Sequence, residues 1–472
     1  MAGSEKIVSL KIEVARQRCE ALSDEIGSLK NKGYSSGGTL KLLLFVEKAA
    51  GVILSYLDEQ KSLPDRELLT EDELEDRVHR LTELIPFLHI LLGFIEGSDI
   101  ASTPTPLVLQ LRRFARTVVP HSDVVVCARP ELNYSITEVA SLIRDLVAQT
   151  TLKECCELLP EFLFVVTIPR VESMEVLLHC ILSHELGHGL YERYGLAAKI
   201  LPKVQINQER VRSLVNVIVT QVEPTMAKAP PLVEVGMREL ITQQVTGRIT
   251  KWVQELCSDA FGVQLFGPAY YFAFVYFFLA FEYLDKDSQT HPPPRLRLRL
   301  MSKIVRRLYP ESCFKETVLG FIQFWSSVSE KEIRCRDEIG GIALGAIQAN
   351  TILKSIDTET EACLNPSLAY SPSRYKEDVD SLGQLLINVV PPGEIRLPDK
   401  LAPTDIASIL NAGWNVFISD LSALGANLPE HESSSPYRLR QKLQRLLLKA
   451  LEISETRCSW EETRSAIGLR RD

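Results

Sequence analysis

Two features that are common in secreted proteins are missing from this 472-residue sequence. The first residues, 1–7 (MAGSEKI), contain no basic stretch followed by an apolar core, so we predict no secretory signal peptide. The ten cysteines show no repeated spacing and no Cys-x-x-Cys pair, although Cys155 and Cys156 are adjacent. This usage favours free buried thiols over a disulfide framework. We therefore predict a reducing compartment, the cytoplasm.

The sequence also lacks an excess of basic residues. Lysine and arginine number 53, and aspartate and glutamate number 61, giving a net charge of −8, so nucleic acid is not expected as a partner. An apolar fraction of 45% with 24% charged residues is typical of a folded globular protein and argues against a disordered one. The length allows two or three structural units or one elaborated core.

A long apolar run of the kind that crosses a membrane is missing as well. The uncharged run at 267–281 (GPAYYFAFVYFFLAF) has 15 residues, whereas a membrane-spanning helix needs about 20. Its aromatic density favours packing inside the protein. We therefore predict a buried core helix here and expect no membrane association through this run.

Apolar periodicity divides the chain into three regions. Residues 1–118 are predicted to form a helical N-terminal region, 119–310 a core with a small sheet, and 311–472 a helical C-terminal region. The predicted core elements are strands at 124–126 and 161–168, and helices at 136–149, 172–194, 207–222 and 235–266. The C-terminal helices are predicted at 313–329, 330–354, 376–390, 404–423 and 436–453. The fold class is therefore predicted to be mainly α with a small α+β core.

One predicted helix contains residues suited to a metal site, His184-Glu185-Leu-Gly-His188. Residues four apart lie on one face of a helix, so the imidazoles of His184 and His188 can converge on one ion. Glu185 projects beside the metal, where it can take a proton from bound water whose pKa zinc lowers to about 7. The alternative is a pair of histidines with structural hydrogen bonds only, and the uncharged neighbouring residues favour the metal site.

A second helix is predicted to supply a third ligand. Two histidines leave a zinc site one protein ligand short. Glu255 and Asp259 are again four residues apart, so Glu255 can complete the site while Asp259 accepts the free ring N–H of a ligating histidine. The alternative is two acids on a solvated helix face, but the helix is otherwise apolar after Glu255.

The order of these segments resembles that of the gluzincin metallopeptidases. After the His-Glu-x-x-His and Glu-x-x-x-Asp helices comes His291-Pro-Pro-Pro-Arg-Leu-Arg297. The combination is most similar to the M48 branch, which includes CAAX prenyl proteases and heat-shock membrane peptidases. The resemblance covers about residues 158–300. The chain departs from that branch in lacking convincing transmembrane helices.

The resemblance implies an α+β gluzincin-type core, a bound zinc ion and a role for each matching residue. The implied zinc ligands are His184, His188 and Glu255, with Glu185 as the general base. His291 and Arg297 would stabilise the tetrahedral intermediate or position the substrate.

These observations predict a zinc metallopeptidase that hydrolyses peptide bonds in protein substrates. An extended substrate would pair with the strand at 161–168 through main-chain hydrogen bonds. The sequence leaves open whether the helical flanks keep the enzyme latent until a regulatory protein partner releases it. The alternative from another class is a catalytically inactive, zinc-containing interaction or signalling scaffold. Glu185 favours the enzyme, because structural zinc needs no base and usually has four protein ligands.

Overall fold

The structure is a computed structural model that describes residues 2–62, 71–131, 134–222, 231–279, 284–397, 400–433 and 435–466. Within these ranges the chain is mainly helical with two small sheets, which confirms the predicted class at this level. It divides into two compact units, Met1–Met174 and Glu175–Asp472. The core predicted at 119–310 is shared between them. Its strands belong to the first unit, and the candidate site residues belong to the second.

The described part of the first unit contains five helices and three strands. The helices are α1 (Ala2–Leu29), α2 (Gly37–Ser62), α3 (Glu71–Glu96), α4 (Thr105–Val118) and α5 (Val139–Val147), and the strands are β1 (Ser122–Arg129), β2 (Ser135–Glu138) and β3 (Phe162–Pro169). Helices α1, α2 and α3 pack together around fully buried side chains such as Leu22 and Phe45. The helix predicted at 136–149 begins at Val139 because the preceding residues join the sheet.

The strand predicted at 161–168 is the central strand of a three-stranded sheet with the order β1-β3-β2. Strand β1 runs parallel to it, with Val124 opposite Phe164. Strand β2 runs antiparallel, with Thr137 opposite Val165. From Phe164 to Thr167 both hydrogen-bonding edges of β3 are therefore occupied by strands of the chain itself. The prediction that an extended substrate pairs with this strand is wrong for that reason.

The described part of the second unit contains fourteen helices and one hairpin. The helices are α6 (Leu182–Arg193), α7 (Leu196–Ile200), α8 (Gln208–Val222), α9 (Pro231–Phe266), α10 (Pro268–Leu279), α11 (Pro294–Leu308), α12 (Glu316–Ser329), α13 (Glu338–Ile347), α14 (Asn350–Cys363), α15 (Pro372–Ile387), α16 (Ile406–Asn415), α17 (Leu421–Ala426), α18 (Glu430–Ser433) and α19 (Pro436–Ala466), and the hairpin strands are β4 (Glu394–Leu397) and β5 (Lys400–Pro403).

Helix α9 is the longest element of this unit, with 36 residues. It packs against α6, α10, α11, α13 and α14. Helix α10 lies in the interior, and from Ala269 to Val275 each residue is at most 3% exposed. This confirms the core helix predicted at 267–281, of which 280–281 fall outside the described residues. Among the described helices, none alone is long and apolar enough to cross a membrane, and only α13 with α14, bent by 65°, pass that test as a pair.

Some predicted helices are divided in the structure. The helix predicted at 172–194 begins with a 3-10 turn, Val176–Ile181, and becomes α-helical at Leu182. The indole of Trp414 donates a hydrogen bond of 3.0 Å to the Leu177 carbonyl within that turn. The helix predicted at 330–354 begins only at Glu338, where the Asp337 side chain caps α13, and it is divided before α14 at Ala349, whose ψ of 136° is not helical. The helix predicted at 404–423 contains a π-helical turn, Val416–Asp420.

All ten cysteines are free thiols, but the predicted burial holds for five of them, and the other five are partly exposed. Cys180 and Cys257 are completely buried. Burial raises the pKa of both thiols far above the ordinary value of 9.0.

Candidate metal centre

The two histidines of the site lie one helical turn apart on α6. The rings of His184 and His188 are nearly perpendicular, with their centroids 4.8 Å apart. The His184 side chain is 5% exposed, whereas that of His188 is 24% exposed. The four-residue spacing therefore brings the rings together as predicted, with His188 nearer the solvent.

Helix α9 reaches these histidines because Gly187 permits a very close approach. A Cβ atom at Gly187 would lie 2.7 Å from the Cα atom of Ser258. Ser258 precedes Asp259 and follows Glu255 by three residues, so this contact turns both carboxylates towards α6. As a result, Glu255 Oε2 lies 3.3 Å from His184 Nε2, and Glu255 Oε1 lies 3.5 Å from His188 Nε2.

The three side chains have the geometry of a metal site. One ligand atom from each of His184, His188 and Glu255 lies within 4.8 Å of the other two. Ligands about 2.0–2.1 Å from a tetrahedral zinc ion stand about 3.3–3.4 Å apart, close to the contacts at Glu255. Glu255 Oε2 is also buried and makes no hydrogen bond of good geometry, since its ion-pair contacts stand 3.3 Å from His184 Nε2 and 3.6 Å from an Arg297 nitrogen. A metal ion would satisfy this oxygen more fully. The residues therefore fit a metal ion.

Asp259 orients the buried His184 through its Nδ1 atom. Its Oδ1 atom lies 2.9 Å from His184 Nδ1, so a proton on Nδ1 leaves Nε2 free for a metal. The hydroxyl of Tyr270 donates to the same Oδ1 at 2.5 Å and lies 3.2 Å from His184 Nδ1. Tyr270 reaches this position because Gly267, with a φ of 63°, folds α10 back beside α9.

Arg297 binds the carboxylates of the site. Its side chain is 9% exposed, and Nε and one terminal nitrogen each donate to Asp259 at 2.7 Å. The other terminal nitrogen lies 3.6 Å from Glu255 Oε2. The guanidinium also stacks over the ring of Phe274, 4.9 Å from its centroid. This environment is that of a buried counter-ion that holds both carboxylates in place.

His291 approaches the centre from the solvent side. Its side chain is 58% exposed, and Nε2 lies 3.7 Å from Glu255 Oε1. The hydroxyl of Thr290 lies 2.8 Å from the other ring nitrogen, Nδ1. Glu185 follows His184 on α6 and is partly exposed. The centre therefore has a buried side, formed by Asp259 and Arg297, and an accessible side next to His291.

The pKa values of the site residues follow from their burial and from the charges of their neighbours. Burial disfavours the imidazolium of His184, but the Asp259 carboxylate raises its pKa to about 9. Burial and the charge on His184 lower the pKa of His188 to about 3. Burial favours the neutral form of Glu255, but the hydrogen bond and charge of His184, with the charge of Arg297, lower its pKa to about 2. Glu255 is therefore anionic and His188 neutral, the forms that bind metals, whereas His184 is protonated near neutral pH and would have to lose its Nε2 proton to bind a metal.

The structure brings the sequence-predicted ligands, Asp259, His291 and Arg297 together in the second unit. Sequence reasoning missed the role of Tyr270, because its contact with Asp259 depends on the fold-back at Gly267. It also missed Trp252 and Arg248, which lie on the same face of α9 as Glu255. Trp252 lies three residues and Arg248 seven residues before Glu255, and this helical spacing was a usable signal.

A comparison of the chain with protein-family models, with curated proteins and with solved structures finds no match.

Proposed function

We propose that this chain is a zinc-dependent peptidase that hydrolyses peptide bonds in protein substrates. The observation that carries the proposal is the grouping of His184, His188 and Glu255, whose ligand atoms lie within 4.8 Å of one another. Two imidazoles and one carboxylate are the protein ligands of many catalytic zinc sites, which keep one position open. The resemblance of the three segments to gluzincin peptidases supports the choice of zinc and of an α+β gluzincin-type core.

When bound, zinc supplies Lewis acidity at the peptide bond to be cleaved. The chain's own residues supply proton transfer, a hydrogen-bond donor and the positioning of the ligands. Glu185 takes a proton from the attacking water and passes it to the leaving amine. His291 donates an N–H towards the oxygen of the peptide carbonyl as negative charge develops there. Arg297 and Asp259 keep Glu255 and His184 in position from the buried side.

The partial exposure of the site favours an enzyme over the scaffold alternative. His188 and His291 remain open to solvent, with side-chain exposures of 24% and 58%. A structural zinc site is usually closed by a fourth protein ligand. Among the described residues, the group that can hold a metal has three members, so a position remains for water or substrate.

The deciding experiment compares two variants on the same helix. Glu185→Gln removes the base but no ligand, so we expect about one zinc per chain and a loss of peptide hydrolysis of roughly 100- to 10,000-fold. His188→Ala removes a ligand, so we expect loss of both zinc and hydrolysis. Zinc content is measured by elemental analysis and hydrolysis with denatured protein substrates.

Two results would contradict the proposal in different ways. Full zinc content in His188→Ala would show that the ligand assignment is wrong. Zinc-loaded wild-type protein that is no more active than Glu185→Gln would instead support the scaffold or a latent enzyme. Repeating the assay after limited proteolysis of the flanking helices distinguishes the scaffold from the latent enzyme, since only a latent enzyme gains activity.

A further inference from the structure

One face of α9 continues beyond the metal centre. Arg248, Trp252, Glu255 and Asp259 follow one another at intervals of four, three and four residues, which places them in a row along the helix. The last two serve the metal centre. The first two contact the segment that carries His291.

Trp252 is the first of these two anchors. It is completely buried, and its indole Nε1 donates a hydrogen bond of 3.0 Å to the carbonyl of Ser288. Arg248 is also buried, and it lies 3.5 Å from the Asp287 carboxylate, itself 2% exposed. Asp287 further accepts a hydrogen bond of 2.8 Å from the backbone N–H of Arg336. The residues just before His291 are thus fixed to the protein interior.

The turn from Ser288 to His291 transmits this anchoring to the imidazole. The backbone N–H of Ser288 donates to the His291 carbonyl at 3.0 Å. In return the Ser288 hydroxyl accepts from the His291 N–H at 2.9 Å. Thr290 then contacts the ring at Nδ1. His291 is exposed, yet its backbone N–H and carbonyl are both hydrogen-bonded within a closed turn, and the indole of Trp252 donates to the same turn at Ser288.

We propose that Trp252, assisted by the Arg248–Asp287 ion pair, is a positioning residue that holds the Ser288–His291 turn so that the imidazole faces Glu255. This inference rests on the proposed function, in which His291 acts beside the cleaved bond. Trp252 and Glu255 are three residues apart on one rigid helix, so the position of His291 relative to Glu255 is set from a single element. Trp252 touches neither metal nor substrate and acts through His291.

The test replaces Trp252 with phenylalanine, which keeps a buried ring and removes the N–H donor. In zinc-loaded protein we expect kcat to fall about 100-fold, because a small misplacement of a catalytic group has an effect of this size. KM and zinc content should change little. The imidazole signals of His291 in protein labelled with ¹⁵N-histidine should shift or broaden, and the spectrum of His291→Ala identifies them among the eight histidines.

Trp414→Phe is a matched control. Trp414 is also buried, and its indole donates to a backbone carbonyl, that of Leu177, at the same distance of 3.0 Å. We expect a comparable loss of stability with the His291 signals unchanged. Each tryptophan variant is also combined with His291→Ala. The Trp252→Phe loss should disappear in that background, whereas any Trp414→Phe loss should persist.

A failure of this inference can be distinguished from a failure of the proposed function. If the wild type hydrolyses no peptide even after limited proteolysis of its flanking helices, the proposed function fails, and the His291 signals still decide whether Trp252 positions the turn. Unchanged His291 signals in Trp252→Phe, or an undiminished loss in the double variant, would overturn the inference. If Trp252→Phe does not fold, Asp287→Asn weakens the second anchor and is judged by the same signals.

Discussion

A methyl group added at Gly187 has no room, because α6 and α9 touch at this point. The Cβ atom of Gly187→Ala would lie 2.7 Å from Ser258 Cα and 3.0 Å from its carbonyl oxygen, both backbone atoms that cannot rotate away. Restoring an ordinary contact of 3.4–4 Å requires the helices to separate by at least about 0.7 Å. Overpacking of this kind costs about 1–3 kcal/mol of folding free energy.

The same displacement should damage the metal centre. His184 and His188 lie on α6 and Glu255 on α9, so a separation of the helices lengthens the contacts of 3.3 and 3.5 Å between them. Metal–ligand distances tolerate only about 0.2 Å. We therefore expect zinc affinity to fall by at least about 10- to 100-fold, the range caused by loss of supporting contacts around a metal.

Zinc affinity is measured by competition with a chromophoric chelator, and stability by urea unfolding with and without zinc. Gly247→Ala is the matched control, because it lies on α9 with nothing within 4 Å of the added Cβ. It should stabilise the protein by about 0.5–1 kcal/mol, as expected for alanine in a helix interior, and leave zinc affinity unchanged. Wild-type zinc affinity in Gly187→Ala would refute the reasoning that this contact sets the ligand positions.

Substitutions at two further residues test opposite sides of the centre. His291→Ala should lower kcat by about 100- to 1000-fold with KM and zinc content little changed, since a donor to a developing oxyanion acts in the transition state. Near-normal turnover in steady-state assays would show that another residue takes this role. Arg297→Met should reduce stability by about 3–5 kcal/mol in urea unfolding, because it leaves two buried carboxylates without their counter-ion. Saturating zinc should recover part of that loss. Arg297→Lys should be less stable than the wild type, because lysine cannot make the bidentate contact with a carboxylate. Wild-type stability in Arg297→Met would contradict the counter-ion role.

The ligands were predictable because their pattern is local. His184 with His188, and Glu255 with Asp259, each obey the four-residue period of a helix, and no knowledge of the rest of the fold is needed to pair them. The zinc identity and the peptidase activity remain predictions. The glycine inside the His-Glu-x-x-His segment was also a local sign of close packing.

Other features depend on contacts between distant residues. The role of Arg297 could not be deduced from its spacing to His291, because its partner Asp259 is 38 residues earlier in the chain. The strand at β3 has the composition of a buried strand, but composition does not reveal which strands flank it. The residues at Val176–Ile181 are almost all apolar, so periodicity could not distinguish a 3-10 turn from the first turns of α6. The short hairpin of β4 and β5 has too few residues to show an alternating pattern.

The buried free thiols beside the centre provide a measure of how the protein opens. Cys180 lies four residues before His184 and Cys257 two residues after Glu255, so each reports on one of the two chain segments that supply ligands. Only a thiolate reacts rapidly with alkylating reagents, and neither thiol can ionise or meet a reagent while it is buried. Their alkylation rates therefore measure the free energy of local unfolding at each segment without any introduced probe. Equal rates at the two positions would mean that the two ligand-bearing segments open as one cooperative unit, and unequal rates would identify the one that opens first.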